Sequence, residues 1–200
     1  MDQQMSYFLP PITNTLPTGN CTLREVYRWI TEDKSLETVT NELRAFIKEG
    51  RVAEYRQLKQ RQLPFVTPHG VFSRRKSDAL ISASGLVVVD IDHLDSYQEA
   101  VEMRSTLFND HLLHPVLTFI SPSGRGVKAF VPYDHLPMAN DTNSIIENMK
   151  LAMMFTVLLY GTETPPPFGE KRKGVDFSGK DIVRSCFLSH DPGALFRNNK

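Results

Sequence analysis

The chain has 200 residues, of which 40% are apolar, and this is enough to build the core of one compact domain. Its 23 basic residues are balanced by 23 acidic ones, which excludes the overall basic character of many nucleic-acid-binding domains and leaves only local clusters for that purpose. Two distant cysteines, Cys21 and Cys186, exclude a disulfide framework. No apolar stretch is long enough to span a membrane, so we expect a cytoplasmic protein without membrane contact.

The first 62 residues are predicted to form an N-terminal arm and a helical segment that belong to the same compact unit as the rest. Prolines and polar residues in the first twenty positions favour an arm or a short edge strand. Apolar residues then recur at helical spacing, and Thr22 with Glu25 matches a capping box. The three predicted helices run from Thr22 to about Asp33, from Ser35 to about Gly50 and from Val52 to Arg61.

The second and third of these helices carry a run of basic residues whose role the sequence leaves open. Its members are Arg44, Lys48, Arg51, Arg56, Lys59 and Arg61. Glu49 and Glu54 interrupt the run, which favours an ordinary solvated helix face. The alternative is a surface that faces phosphate groups.

Residues 63–200 are predicted to form the catalytic core, in which strands and helices alternate. The predicted strands cover residues 65–66, 70–72, 86–92, 115–120, 127–131 and 182–188, the predicted helices cover 96–108 and 142–160, and prolines break the pattern at 165–167. The strands at 115–120 and 127–131 form a hairpin. This order predicts an α/β or α+β sandwich and not a helical bundle.

The strongest candidate for chemistry is an acidic pair at the end of an apolar strand, in the run Leu-Val-Val-Val-Asp-Ile-Asp-His at residues 86–93. Because side chains alternate along a strand, Asp90 and Asp92 project the same way, with Cα atoms about 6.6 to 7 Å apart. Two carboxylates that point the same way favour a hard divalent cation such as Mg²⁺ or Mn²⁺. The structural alternative is that Asp92 or Asp95 caps the helix that follows.

The second candidate is the hairpin turn Ser-Pro-Ser-Gly-Arg-Gly at residues 121–126, followed by Val127 and Lys128. Glycines allow backbone N–H groups to approach an anion, and the basic side chains supply charge against phosphate oxygens. The predicted nucleotide-binding residues of this turn are Ser123, Gly124, Arg125, Gly126 and Lys128. The turn is neither a Walker loop nor a dinucleotide fingerprint.

The third candidate lies near the end of the chain. Asp176, in Val-Asp-Phe at residues 175–177, offers a third carboxylate for a metal ion. Eight residues later, Arg184 lies on a predicted strand and offers a guanidinium to a triphosphate.

The order of these three motifs resembles the primase-polymerase (archaeo-eukaryotic primase) superfamily. It resembles more closely the N-terminal domain of virulence-associated protein E-like proteins of Bacteroides and their mobile elements. The resemblance covers roughly residues 59–198, and its upstream part is Lys-Gln-Arg-Gln-Leu-Pro at 59–64 with His-Gly-Val-Phe at 69–72.

This resemblance implies an α+β fold, with an antiparallel-rich sheet like that of an RNA-recognition motif packed against helices. It also implies template-directed nucleotide addition with Mg²⁺ or Mn²⁺, in which Asp90, Asp92 and Asp176 are the catalytic metal ligands. Lys128 stands where the superfamily often has a histidine, and a lysine can meet a phosphate only as a point charge. The implied partners are nucleoside triphosphates, a single-stranded DNA template and a helicase-like domain or subunit.

Three functions therefore remain open at this point. The first is a DNA primase or polymerase domain of a mobile-element or phage-type replication protein. The second is an inactive module that binds nucleic acid or nucleotide beside a helicase-like partner, with stacking residues among Phe65, Phe72, Phe119 and Phe130. The third is an enzyme that acts on a small phosphorylated molecule and ignores a template.

Overall fold

A computed structural model describes residues 3–133, 142–161 and 173–197. The proline-rich break predicted at residues 165–167 lies outside these ranges. The helices are Leu23–Glu32 (α1), Lys34–Lys48 (α2), Val52–Gln62 (α3), Tyr97–Phe108 (α4) and Thr142–Tyr160 (α5). The strands are Gln4–Phe8 (β1), Gly19–Thr22 (β2), Phe65–Thr67 (β3), Gly70–Phe72 (β4), Leu80–Ala83 (β5), Leu86–Asp92 (β6), Leu117–Ile120 (β7), Val127–Pro132 (β8), Gly174–Val175 (β9), Cys186–Phe187 (β10) and Leu195–Phe196 (β11).

These elements confirm the predicted α+β class with antiparallel sheets. The larger sheet has the strand order β11-β7-β8-β6-β9, and every pairing in it is antiparallel. Its elements β6-α4-β7-β8-α5-β9 follow one another along the chain, and β6 lies between β8 and β9. This is the strand order of the RNA-recognition-motif sheet that the resemblance implied.

Both faces of the larger sheet are covered, which explains why β6 is apolar without interruption up to its acidic end. On one face, Val87, Val89 and Ile91 pack in a cluster with residues of α4 and α5. On the other face, Leu86 and Val88 pack in a cluster with residues of α1, α2 and α3. By strand alternation, Asp90 and Asp92 share the face of Leu86 and Val88, so they point toward the N-terminal helices.

The N-terminal helices form as predicted. Thr22 caps α1, and the reciprocal hydrogen bonds with Glu25 complete the capping box. The helix α3 ends at Gln62, just before Pro64. Within the described residues, no helix is both long and apolar enough to cross a membrane.

Two predictions of local structure were wrong. Residues 4–8 form neither an arm nor an edge strand, because β1 pairs with β2 on one side and with β3 on the other. In the sheet order β10-β3-β1-β2 it is β2 that lies at the edge. This pairing joins the N-terminal segment to residues beyond position 62, although the proposed boundary at 62 remains a prediction.

The predicted strand at residues 182–188 shortens to Cys186–Phe187. The backbone N–H of Arg184 donates to the carbonyl of Asp181 at 2.8 Å, and that of Val183 donates to the Asp181 carboxylate at 3.2 Å. These bonds close a turn and use donors that a strand would give to its neighbour. Arg184 therefore lies beside a turn and not on a strand.

A buried histidine links the connection between β3 and β4 to the larger sheet. The ring nitrogen Nε2 of His69 accepts from the backbone N–H of Val88 at 3.2 Å, so Nδ1 carries the proton that it donates to the carbonyl of Ile182 at 3.0 Å. Both ring nitrogens are thereby fixed in the neutral form. Burial lowers the pKa of His69 to about 4.

This histidine predicts a loss of stability in acid. Between the unfolded pKa near 6.5 and the folded pKa of about 4, the unfolded chain binds the extra proton. His69 should therefore stabilise the fold fully above pH 6.5 and lower the unfolding free energy by roughly 3 kcal/mol as the pH falls to 4. Denaturant titrations of the wild type across this pH range measure the effect.

The variant His69→Gln should be less stable at neutral pH, because buried backbone groups lose their partners, but its stability should decline less in acid. His111→Gln, at an exposed position, is the control and should follow the wild type. Equal acid slopes in the wild type and His69→Gln would contradict this account.

Candidate functional site

Three carboxylates meet at the end of β6. Asp90 is only 6% exposed, and Asp92 is partly buried two residues further along the strand. Asp176 reaches them because its backbone N–H donates to the carbonyl of Asp90 at 2.8 Å, directly after the pairing of β9 with β6. One ligand atom from each side chain lies within 4.8 Å of the other two. The structure thus brings together the three predicted metal ligands.

Two cations contact this cluster. Lys128 lies opposite Asp90 in the register of β6 and β8, and its ammonium donates to Asp90 Oδ2. Arg184 Nη2 donates to Asp176 Oδ2 at 2.5 Å and lies 3.9 Å from Asp90 Oδ2. Two of the three carboxylates therefore have a positive partner in contact.

Burial and the neighbouring charges shift the pKa values of Lys128 and Asp92. Burial is the largest single effect and would lower the pKa of Lys128, but the attractions of Asp90, Cys186 and Asp92 and the hydrogen bond to Asp90 together outweigh it, so the net pKa of Lys128 is raised. Burial raises the pKa of Asp92, and the negative charge of Asp90 adds to this effect. A positive ion placed between these two carboxylates would relieve their repulsion.

The donor atoms of the cluster fit a hard divalent cation. Oδ1 of Asp90 is buried and has no hydrogen-bond partner among the described residues. A buried carboxylate oxygen without a partner is costly in free energy, and a cation would compensate it. Oxygen ligands from aspartates are those that Mg²⁺ and Mn²⁺ prefer. Asp90, Asp92 and Asp176 would hold such an ion.

The cluster opens into a cleft of about 520 Å³, large enough for a nucleotide-sized ligand. Five of the predicted site residues line it, namely Asp90, Asp92, Ser123, Lys128 and Arg184. The remaining lining residues are Ile12, Tyr55, Lys59, Arg75, Ser121, Pro122, Asp181, Val183, Ser185 and Phe187. The cleft therefore lies between the end of the larger sheet, the helix α3 and the strand β10 of the four-stranded sheet β10-β3-β1-β2.

The turn at residues 121–126 is largely bonded to itself. The backbone N–H of Gly124 donates to the carbonyl of Ser121 at 2.9 Å, and that of Arg125 donates to Ser123 Oγ at 3.1 Å. Ser121 Oγ and Ser123 Oγ are 3.0 Å apart. These two amides are thus used within the turn, and the hydroxyl of Ser123 is the predicted turn group that faces the cleft.

The other predicted turn residues have different surroundings. The guanidinium of Arg125 donates to the carbonyl of Asp95 at 2.8 Å and faces a neighbouring cleft of about 540 Å³. At Gly126, a Cβ would lie 2.6 Å from the Ile91 carbonyl and 2.8 Å from Asp92 Oδ1. Glycine at 126 thus lets the turn pack directly against the acidic strand. The roles assigned to Gly124, Arg125 and Gly126 in nucleotide binding remain predictions.

Sequence reasoning assigned no site role to three residues of the cleft. Tyr55 and Lys59 reach it from α3, and burial raises the pKa of Tyr55 to about 12. Arg75 reaches it through hydrogen bonds to the Ile12 carbonyl and to Ser185 Oγ, both 2.8 Å long. For Lys59, the available signal in the sequence was the basic run on α2 and α3, for which a surface that faces phosphate groups was one interpretation.

The four phenylalanines considered for base stacking are core residues. Phe65, Phe72, Phe119 and Phe130 are each at most 2% exposed. Phe119 and Phe130 contact each other edge to face, with ring centroids 6.1 Å apart. None of these rings has a free face on which a base could stack.

Comparison with known proteins gives one match. The model of a family described as "BT4734-like, N-terminal domain" matches residues 58–196, a range that includes both strands of the acidic site and Arg184. No curated protein and no solved structure matches the chain. Because the family match covers more than half of the chain, the protein belongs to the BT4734-like N-terminal domain family.

Proposed function

We propose that this domain is a metal-dependent nucleotidyltransferase of the primase-polymerase type, which adds nucleotides to a growing strand on a DNA template. The observation that carries the proposal is the convergence of Asp90, Asp92 and Asp176 beside a nucleotide-sized cleft that Asp90 and Asp92 line, together with Asp90 Oδ1, which has no hydrogen-bond partner among the described residues. A bound Mg²⁺ or Mn²⁺ would neutralise phosphate charge and lower the pKa of an attacking hydroxyl.

The side chains around the carboxylates support a phosphorylated substrate. Arg184 and Lys128 bring positive charge to the same cleft, and the hydroxyl of Ser123 offers a further hydrogen bond. In phosphoryl transfer, catalysis comes mainly from positioning and from charge stabilisation, and both need fixed groups. Lys128 and Arg184 are fixed here by their ion pairs. The RNA-recognition-motif strand order agrees with the same proposal.

The same ion pairs favour a second candidate, a binding module without catalysis that works beside a helicase-like partner. Lys128 and Arg184 compensate Asp90 and Asp176 without any metal. A site whose charge is balanced in this way can hold a nucleotide by its cations and leave chemistry to another domain. Measurements of metal binding and of nucleotide incorporation distinguish the nucleotidyltransferase from the binding module.

The first prediction concerns the metal. Isothermal titration of the wild type with Mn²⁺ should show one or more sites, and Asp92→Asn should weaken binding by about tenfold or more, because a charged ligand is lost. Asp92→Asn keeps the ion pair between Asp90 and Lys128 and is therefore preferable to a change of Asp90. The exposed Asp78→Asn is the matched control and should bind as the wild type does. Wild-type-like binding by Asp92→Asn would contradict the proposed ligand set.

The second prediction concerns activity. With Mn²⁺, a primed single-stranded DNA and labelled deoxynucleotides or ribonucleotides, the wild type should extend the strand according to the template. Asp92→Asn should lose at least about a hundredfold in rate, as expected when an electrostatic element of the transition state is removed. Extension by Asp92→Asn at the wild-type rate would contradict the assignment. If the wild type binds nucleotide but does not extend the strand, the binding module is favoured. If the wild type converts nucleotides in the absence of a template, an enzyme that acts on a small molecule is favoured.

The third prediction concerns Lys128, which stands where the superfamily often has a histidine. Lys128→Met should lower the unfolding free energy of the metal-free protein by about 3 kcal/mol, because it leaves a buried carboxylate without its partner. The same change should strengthen Mn²⁺ binding, since one positive charge beside the metal site is removed. Thermal unfolding with and without Mn²⁺ measures both effects.

The control for Lys128→Met is Lys150→Met, which removes an ion pair of 2.7 Å with Glu147 on the exposed side of α5. It should change stability by less than about 1 kcal/mol. If Lys128→Met is destabilised and gains nothing from Mn²⁺, the ion pair is structural and the carboxylates do not bind metal.

A further inference from the structure

Lys59 is a cation of α3 that lies between two aromatic rings at the cleft. Its Nζ is 5.3 Å from the ring centroid of Tyr55 and 5.3 Å from that of Phe187. The two rings come from different elements, since Tyr55 lies one turn earlier on α3 and Phe187 lies on β10. Contacts of this kind hold an ammonium in place without using its hydrogen-bond donors for an acceptor of the protein.

The other cations of the cleft have protein partners. Lys128 pairs with Asp90, and Arg184 pairs with Asp176. Arg75 donates to a backbone carbonyl and to a serine hydroxyl. Lys59, by contrast, makes no ion pair within 4.0 Å in the described ranges 3–133, 142–161 and 173–197. Its ammonium has three N–H donors, which are available to an incoming anion.

The surroundings of Lys59 are those of an anion site that belongs to the acidic cluster. Burial lowers the pKa of Lys59, and the charge of Lys128 lowers it further, whereas Asp92 and Asp90 act against both. Lys59 thus lies within electrostatic reach of the carboxylates and of the cation that contacts them. An anion at Lys59 would also reduce the repulsion between the two lysines.

We propose that Lys59 is the residue that binds the phosphate chain of the substrate, and that the ligand of this cleft is a polyphosphate such as a nucleoside triphosphate. Such a ligand has oxygens at several positions along its length. Some can reach a divalent cation at the carboxylates while others reach the ammonium on α3. The identity of the ligand as a nucleotide rests on the function proposed above.

The test uses Lys59→Met, which keeps most of the side-chain length and removes the charge. Calorimetric titration with inorganic tripolyphosphate and with dATP, each at a fixed Mn²⁺ concentration, should show a loss of at least about tenfold in affinity. Lys59→Arg should restore part of it, since the charge returns with a different geometry. Lys48→Met, on the exposed side of α2, is the matched control and should bind as the wild type does.

Two further measurements exclude a merely structural effect. Mn²⁺ alone should bind Lys59→Met at least as tightly as it binds the wild type, because the carboxylates are unchanged and one positive charge is gone. The loss of affinity should also be larger for dATP than for dAMP, since the proposal assigns Lys59 to the phosphate chain, which dAMP lacks beyond its single phosphate. A loss that is equal for dATP and dAMP would overturn the proposal.

The outcomes separate this inference from the proposed function. If the wild type and Lys59→Met bind tripolyphosphate equally, the inference is overturned and the nucleotidyltransferase proposal stands. If tripolyphosphate binding depends on Lys59 but the wild type extends no strand, the inference is supported and the nucleotidyltransferase proposal fails. Absence of tripolyphosphate and dATP binding by the wild type would overturn both.

Discussion

The contact between Asp90 and Lys128 across β6 and β8 is the constraint on which the site depends. Both residues are nearly inaccessible, at 6% and 8% exposure, and the sheet around them is largely apolar. A buried charge is tolerated only with a partner, so the two residues hold each other at the floor of the cleft. Among the described residues Asp90 Oδ1 has no hydrogen-bond partner, and one carboxylate oxygen of Asp90 lies within 4.8 Å of oxygens of Asp92 and Asp176.

The other charged side chains of the site are positioned by strand pairing, by a turn and by the packing of α3. The pairing of β9 with β6 places Asp176 beside Asp90, and the turn at Asp181 places Arg184 beside Asp176. The helix α3 contributes Lys59 to the cleft. Four cations and three carboxylates thus line one cleft, in a chain whose total charge is zero, and Asp176 adjoins them. A protein with zero net charge can therefore have a strongly charged site, because opposite charges are grouped locally.

Features that depend on local spacing could be predicted from the sequence. Strand alternation alone placed Asp90 and Asp92 on one face, and the Thr22 capping box marked the start of α1 correctly. Features that depend on packing between distant segments could not. The family resemblance, and not spacing, groups Asp176 with Asp90 and Asp92, because its position beside Asp90 requires the pairing of β9 with β6. The position of Lys59 at the cleft requires the packing of α3 beside the site. The short β10 reflects the turn at Asp181, whose hydrogen bonds outweigh the strand preference of Ile182 and Val183.

The central claim is that the three carboxylates form a divalent-cation site. The most direct test is a crystal structure of the protein with Mn²⁺, in which an anomalous difference map locates the manganese. The account predicts a peak about 2.1 Å from Asp90 Oδ1 and from oxygens of Asp92 and Asp176, with Lys128 still next to Asp90 Oδ2. Density without such a peak at millimolar Mn²⁺, with the carboxylates and Lys128 otherwise in place, would contradict it.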